Sequence, residues 1–114
     1  MRTGQRKSPV GPAHLRKIAD KIRTGYNPEM IILFGSMARG DATEDSDIDL
    51  LIIKRTSKPF HKRWAEVCRL VSDMRRDVGF SPFVLTPQEL EARKALKDQF
   101  IEEILRDGKV LYAA

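Results

Sequence analysis

The chain contains 114 residues, a length typical of one domain around one hydrophobic core rather than of a multidomain enzyme. Hydrophobic residues make up 41% and charged residues 32% of the sequence, which excludes a disordered, collagen-like or coiled-coil composition. The 21 Lys and Arg residues outnumber the 16 Asp and Glu residues and give a net charge of +5. This charge alone suggests a polyanionic partner.

The charges are distributed unevenly along the chain. Residues 28–53 contain one cation, Arg39, against six carboxylates, whereas residues 1–27 contain seven basic side chains and one acidic side chain. A nucleic-acid-binding surface would spread Lys and Arg along one face. An acidic segment between basic flanks is more typical of a cation site, so nucleic acid is the less favoured partner.

One folded domain is predicted over residues 13–114, after a mobile basic tail at residues 1–12. No apolar run approaches the roughly 20 residues needed to cross a bilayer, so no membrane association is expected. The N-terminus also lacks the apolar segment of a signal peptide. The single cysteine, Cys68, excludes an internal disulfide framework and a thiolate cluster. We therefore expect a cytoplasmic protein.

The first half of the chain is predicted to contain a helix and two strands. Residues 13 to about 24 have apolar side chains at i, i+3, i+4 and i+7, which predicts an amphipathic helix that ends at Gly25. Residues 30–34 and 48–53 are short apolar runs, typical of strands that are buried on both faces. A polar connection separates these two strands.

The longest helix is predicted from residue 59 to about residue 76. Its apolar side chains recur at steps of three and four residues, and Cys68 lies beside the same face. We expect this face to pack into the core, with the side chains Phe60, Trp64, Val67, Val71 and Met74.

A strand and two helices are predicted next. Residues 80–85 have strand composition, and Pro82 indicates a strand start or a sheet edge. Thr86 and Glu89 form a capping box that starts a helix at residue 87. Another helix, from about 98 to 106, precedes a short strand at 110–112. We expect its inward side chains to be Ile101, Ile104 and Leu105, and its end to be at Gly108.

The turn after the first strand has the features of a phosphate-binding site. Gly35 directly follows the buried strand, which allows a sharp turn and a close approach to a ligand. Ser36 contributes a hydroxyl group and starts a short helical turn with outward N–H groups. Asp47 and Asp49 lie two residues apart at the start of the second strand. Because strand side chains alternate, both carboxylates should share one face and hold divalent cations.

The two features should meet if the two strands are antiparallel neighbours. The first strand ends at Gly35 and the second begins at Asp47 and Asp49, so phosphates and Mg²⁺ would then lie at the same end of the sheet. Two metal ions about 4 Å apart would hold a nucleophile and a leaving pyrophosphate during in-line transfer. The pattern therefore indicates nucleotidyl transfer.

The sequence resembles the minimal nucleotidyltransferases of the DNA polymerase beta superfamily. That family has Gly-Ser-x-Ala-Arg-Gly followed by Ser-Asp-x-Asp-Leu, which residues 35–40 and 46–50 match. The resemblance implies a fold with a small mixed β-sheet and helices mainly on one side. It also implies transfer of a nucleoside monophosphate, most simply AMP from ATP, to a hydroxyl acceptor with Mg²⁺ or Mn²⁺. Small members pair with a separately encoded helical HEPN protein in toxin–antitoxin modules, which implies such a partner here.

The resemblance also implies a third carboxylate, about five residues before the Thr-Pro that opens a helix. That position is Ser81 here, a neutral residue. Asp77 lies four residues earlier, roughly 13 Å away along an extended chain. The alternative is therefore a degenerate module that binds a nucleotide or a partner without turnover. A long crossover should make the second and third strands parallel, which would bring Ser81 near Asp47 and Asp49.

Other polar residues have less specific patterns. Arg39 is either a surface cation at a helix end or a group that steadies phosphate or acidic side chains. We expect solvated loop carboxylates at Asp41, Glu44 and Asp45, and surface histidines at His14 and His61. A basic group is predicted to be a solvated helix start in preference to a guide for nucleotide or RNA; it contains Lys54, Arg55, Lys58, Lys62 and Arg63.

Overall fold

The computed structural model describes residues 10–74 and 78–114. Helices and strands alternate over most of this part of the chain, in the order that the sequence predicts. The elements are α1 (Pro12–Tyr26), β1 (Met30–Phe34), α2 (Ser36–Arg39), β2 (Ile48–Ile53), α3 (Phe60–Leu70), β3 (Phe80–Leu85), α4 (Pro87–Ala95), α5 (Gln99–Asp107) and β4 (Lys109–Ala113).

The four strands form one mixed sheet in the order β3-β2-β1-β4. β1 pairs with β2 and with β4 in antiparallel orientation, while β2 pairs with β3 in parallel orientation through the α3 crossover. The predicted parallel β2–β3 pair is confirmed, and the antiparallel β1–β2 pair meets the condition under which the turn after β1 and the start of β2 share one end of the sheet. Pro82 lies in β3, an edge strand, where the missing N–H of proline is tolerated.

Buried side chains cover both faces of the sheet. The larger cluster packs α1 and α3 against alternate side chains of β1, β2 and β3, including Ile31 and Leu50. The smaller cluster packs Ile101 and Ile104 of α5 against the opposite side chains, including Leu51. The mixed α/β fold is confirmed, and the second helical layer on the other face is an addition to the expected arrangement.

The N-terminal region differs from the prediction at two boundaries. Val10 is only 5% exposed and belongs to the larger core cluster, so the predicted tail cannot extend to residue 12; residues 1–9 lie outside the described part of the chain. α1 continues through Gly25 to a left-handed cap at Asn27 (φ 55°). Gly25 does not end the helix but allows close packing, because a Cβ there would lie 2.7 Å from Leu70 Cδ2.

The inward face of α3 differs from the predicted one. Val67 and Val71 are buried and Cys68 packs against the core as expected, but Phe60 and Trp64 are 49% and 53% exposed. Arg63 occupies the inward position instead, with 5% of its surface exposed. α3 ends at Leu70, short of the predicted residue 76; residues 75–77 lie outside the described chain.

Arg63 links α3 to β3 and α4. Its guanidinium donates hydrogen bonds to both carboxylate oxygens of Glu89, at 2.7 and 3.1 Å, and to the Val84 carbonyl at 3.1 Å. Glu89 also completes the predicted capping box with Thr86. The ion pair explains the rotation of α3, because the guanidinium must point inward to reach Glu89, and Phe60 and Trp64 then point outward.

The C-terminal elements follow the prediction closely. α5 begins after Asp98, whose side chain accepts a hydrogen bond from the Ile101 N–H, and it ends at Gly108. Ile101 and Ile104 are buried, but Leu105 is 40% exposed and does not contribute to the core. Within the described residues, none of the helices has the length and apolar character that a membrane span requires.

Candidate functional site

The turn after β1 is built from two glycines with positive φ. Gly35 has φ 77° and ψ −159°, a conformation that is accessible essentially to glycine alone. Ser36 then begins the short helix α2, and Gly40 (φ 86°) ends it, with its N–H donating to the Ser36 carbonyl. The predicted helical turn at Ser36 is therefore present, directly at the end of a buried strand.

Asp49 lies beside this turn. In the β1–β2 register Phe34 is opposite Asp49, so Gly35 and Ser36 reach the same end of the sheet as Asp47 and Asp49. Asp49 lies in β2 and Asp47 immediately precedes it, so the alternation of an extended chain places both carboxylates on one face. Burial and the neighbouring Asp47 charge raise the pKa of Asp49, while the Arg39 charge opposes this rise. The two carboxylates are therefore close enough to repel each other.

Two glycines leave space for these carboxylates. A Cβ on Gly35 would overlap the carboxylate of Asp49, and a Cβ on Gly79 would overlap that of Asp47. Gly79 also accepts a hydrogen bond from the Ile48 N–H at 2.8 Å, which aligns β3 with β2. In the sequence, the only feature that marks Gly79 is its position immediately before a strand. Its proximity to Asp47 arises from the pairing of β2 with β3, which a local pattern does not reveal.

Ser81 lies where the third carboxylate was expected. It pairs directly with Asp49 in the parallel β2–β3 register, and its side chain is exposed. Over residues 10–74 and 78–114, no group of three or more His, Cys, Asp or Glu residues could hold a metal ion. Asp77 lies outside the described residues. The described site is thus a pair of carboxylates with a neutral serine beside it.

Asp47 and Asp49 are a suitable donor set for a divalent cation. Carboxylate oxygens are the ligands that Mg²⁺ prefers, and Mg²⁺ is typically held by one or two carboxylates, with water and substrate phosphates completing its coordination. Burial and then the neighbouring Asp47 charge raise the pKa of Asp49, and a bound cation would stabilise the charged carboxylate against both effects. The residues therefore fit a magnesium or manganese ion.

Arg39 interacts with several carboxylates around the site. Its Nε lies 3.4 Å from Asp41 Oδ2, and both side chains are mostly exposed. Its charge also partly offsets the rise in the pKa of Asp49. It contributes to the lowered pKa of Asp107, for which the hydrogen bond from Arg106 is the largest cause. Arg39 therefore has features of both interpretations: it is an exposed cation in the last turn of α2, and its charge acts on neighbouring carboxylates.

A small cavity between α2 and α5 adjoins the turn. Its volume is about 180 Å³, and Phe34 and Phe100 meet in it edge to face with centroids 5.6 Å apart. No local sequence pattern indicates this cavity, because it joins segments about 65 residues apart. Its lining residues are Phe34, Gly35, Ala38, Arg39, Phe100, Glu103, Ile104, Asp107 and Gly108.

The remaining predicted residues lie away from the carboxylate pair or on exposed loops. Asp41, Glu44 and Asp45 are exposed, and so is His61. His14 is half-buried and hydrogen-bonds the Met74 carbonyl, so it is not a simple surface histidine. In the basic group, Arg63 is a buried structural residue rather than part of a solvated helix start.

Comparisons with known proteins identify the family to which this fold belongs. The family described as "Polymerase beta, Nucleotidyltransferase" matches residues 16–114. Two proteins of Methanocaldococcus jannaschii named as protein adenylyltransferases are 33% and 30% identical; the matches cover 70% and 86% of this chain and 75% and 94% of those proteins.

Solved structures show the same fold. A nucleotidyltransferase structure from Sulfolobus solfataricus has a TM-score of 0.59 at 21% identity, over 89% of this chain and 78% of that one. A toxin–antitoxin structure with AMP-PNP has a TM-score of 0.62 at 22% identity, over 89% of this chain and 73% of that one. With the family match over most of its length, the chain belongs to the polymerase beta nucleotidyltransferase family, a family of transferases.

Proposed function

We propose that this chain transfers AMP from ATP to a hydroxyl group of a partner protein, with Mg²⁺ or Mn²⁺ as the metal ion. The observation that supports this function is the position of Asp47 and Asp49 beside the Gly35–Ser36 turn, at one end of the sheet. Carboxylates for the metal and a turn for phosphates are the two parts that nucleotidyl transfer requires.

Each part of the site has a distinct role. Gly35 and Ser36 hold the β and γ phosphates, because the glycine backbone allows close approach and the serine offers a hydroxyl group. Asp47 and Asp49 hold the metal ion. When bound, the metal supplies stabilisation of the charge on the transferring group. Arg39 balances negative charge at the end of α2, beside the phosphates.

The proposal of a protein acceptor is supported by the relatives. The M. jannaschii proteins are named as protein adenylyltransferases, and two neighbours of the same fold are toxin–antitoxin structures named MntA-HepT and MntA-HpeT. We therefore assign the acceptor to a separately encoded helical protein of the HEPN type, as the resemblance also implies.

A second candidate function is favoured by Ser81. The neutral serine pairs with Asp49 where active relatives are expected to carry a carboxylate. With two carboxylates the site still binds a metal–nucleotide complex, but activation of the attacking hydroxyl is weaker. The alternative is a degenerate module that binds nucleotide and partner without turnover.

Label transfer from α-³²P-ATP distinguishes these functions. The chain is incubated with Mg²⁺ or Mn²⁺ and with the product of the adjacent gene. We expect label on the partner, and loss of that label with Asp47→Asn, which removes one metal ligand without changing side-chain size. Asp45→Asn is the matched control, because it makes the same change on an exposed loop carboxylate of the same acidic segment.

Two other outcomes have clear meanings. Label transfer that Asp47→Asn leaves intact would contradict the site. Absence of transfer, together with partner binding that survives Asp47→Asn, would establish the binding module instead of the enzyme.

A further inference from the structure

An aromatic side chain of α5 lies beside the carboxylate pair. Phe34 of β1 and Ser81 of β3 both lie directly opposite Asp49 in the sheet, so their side chains share its face. Phe83 follows Ser81 by two residues and lies on the same face. Phe100, the second residue of α5, contacts both phenyl rings: its centroid lies 5.6 Å from that of Phe34 and 6.1 Å from that of Phe83.

These two contacts fix the position of the Phe100 ring. β1 and β3 flank β2 on its two sides, each about 4.8 Å away. A ring that contacts Phe34 on one side and Phe83 on the other must therefore lie over β2. Since Phe34 is level with Asp49, and Phe83 is level with Leu51, the ring lies between these two residues of β2, next to the Asp49 carboxylate.

The hydrophobic core does not account for Phe100. α5 packs on the sheet through Ile101 and Ile104, which belong to the core cluster on this face. Phe100 lies outside that cluster and keeps 48% of its surface exposed. It also lines the same cavity as Gly35 and Arg39. An open aromatic surface therefore adjoins both the carboxylates and the turn after β1.

The chemistry of this surface fits a nucleobase. In a nucleotide held by its phosphates at the turn and by a metal ion at the carboxylate pair, the nucleoside is attached to the α phosphate and leaves the site beside Asp49. A phenyl ring gives a phosphate no hydrogen bond, but a base can stack on its face, which raises affinity by about 5-fold or more. The exposed rings of Phe60 and Trp64 cannot serve, because α3 packs on the opposite face of the sheet.

We propose that Phe100 is the stacking platform for the nucleobase of the bound nucleotide, and that Phe34 and Phe83 hold its ring in place. This role rests on the proposed function, because it requires a nucleotide at Asp47 and Asp49. Stacking does not read the hydrogen-bonding edge of a base, so the preference it creates follows the stacking strength of the base. Purine nucleotides, which have two fused rings, should therefore bind more tightly than pyrimidine nucleotides.

Calorimetry with and without the nucleoside separates base stacking from phosphate binding. The full chain and its variants are titrated with ATP and with inorganic tripolyphosphate, both in Mg²⁺; tripolyphosphate carries the phosphates and lacks the base. Phe100→Ala should weaken Mg-ATP binding by at least about 5-fold and leave Mg-tripolyphosphate binding unchanged. Wild type should bind Mg-ATP more tightly than Mg-CTP, and Phe100→Ala should reduce this difference.

Further variants define the contact. Phe100→Trp should keep the Mg-ATP affinity of wild type because it keeps an aromatic face, whereas Phe100→Leu, which is apolar but not aromatic, should weaken binding as Phe100→Ala does. Leu105→Ala is the matched control and should leave binding unchanged, because Leu105 is similarly exposed (40%) on the same helix and does not line the cavity. Circular dichroism and urea unfolding confirm that each variant is folded.

The possible failures have distinct meanings. Unchanged Mg-ATP affinity in Phe100→Ala would overturn the role of Phe100 and leave the proposed function intact; a loss of label transfer alone would then identify a contact with the acceptor. Equal losses for Mg-ATP and Mg-tripolyphosphate would show that Phe100 supports the carboxylate pair rather than the base, and wild-type affinity in Phe100→Leu would exclude stacking. A wild-type chain that binds neither ligand would overturn the proposed function itself, and this role with it.

Discussion

Gly35 and Gly40 offer a matched pair of substitutions on either side of α2. Both have positive φ, at 77° and 86°, so alanine strains the backbone at each position. The cost is about 1–3 kcal/mol at Gly35, whose φ and ψ are nearly restricted to glycine, and about 1–2 kcal/mol at Gly40, which is left-handed. A Cβ at Gly35 also meets the Asp49 carboxylate, whereas a Cβ at Gly40 meets no atom of the described chain within 4 Å.

The two variants should therefore differ in ligand binding more than in stability. Urea unfolding should show similar losses for Gly35→Ala and Gly40→Ala. Calorimetry should show at least a 10-fold loss of Mg-ATP affinity for Gly35→Ala alone, comparable to the effect of misplacing a metal ligand in other proteins. Equal Mg-ATP affinity in the two variants would refute the claim that Gly35 makes room for Asp49 beside the phosphates.

Further predictions concern the Arg63–Glu89 pair and Ser81. Glu89→Gln should lower the free energy of unfolding at pH 7 by about 1.5–3 kcal/mol, since the buried Arg63 would lose the charge of its partly exposed partner. The hydrogen bonds from Arg63 hold the pKa of Glu89 below its usual value. This stabilisation is complete above the unfolded pKa of about 4.3 and is lost as pH falls through the lower folded pKa. Urea unfolding should therefore show that the free energies of unfolding of wild type and Glu89→Gln differ less at pH 3 than at pH 7. An equal difference at both pH values would contradict the role of the ionised Glu89. Ser81→Asp should lower the melting temperature in EDTA, because it adds a like charge beside Asp49, and Mg²⁺ should restore it. Ser81→Asn is the control, and insensitivity of Ser81→Asp to Mg²⁺ would count against a metal at this position.

The strands and the site motif could be predicted because their signals are local. The apolar run of β1 ends before Gly35, and the apolar run of β2 begins after Asp47. The alternation of side chains in an extended chain then predicts that Asp47 and Asp49 share one face. These features depend on residues close in sequence, so a pattern suffices. The antiparallel pairing of β1 with β2 was only a condition at the level of sequence, and the structure supplies it.

The features that were missed depend on distant residues. The inward face of α3 follows from Arg63, whose partner Glu89 lies 26 residues away, and an apolar periodicity takes no account of a buried ion pair. Gly79 became recognisable as part of the site only through its contact with Asp47 across two strands. The cavity beside Gly35 likewise required α5 to pack on the reverse face of the sheet.

Mg-ATP binding by calorimetry tests the central claim most directly, because the claim is that Asp47 and Asp49 hold the metal of a bound nucleotide. ATP should bind in the presence of Mg²⁺ and not in EDTA, and Asp49→Asn should weaken Mg-ATP binding by at least about 10-fold. Asp45→Asn should bind as the wild type does. ATP binding of equal affinity in EDTA, or in Asp49→Asn, would contradict the account.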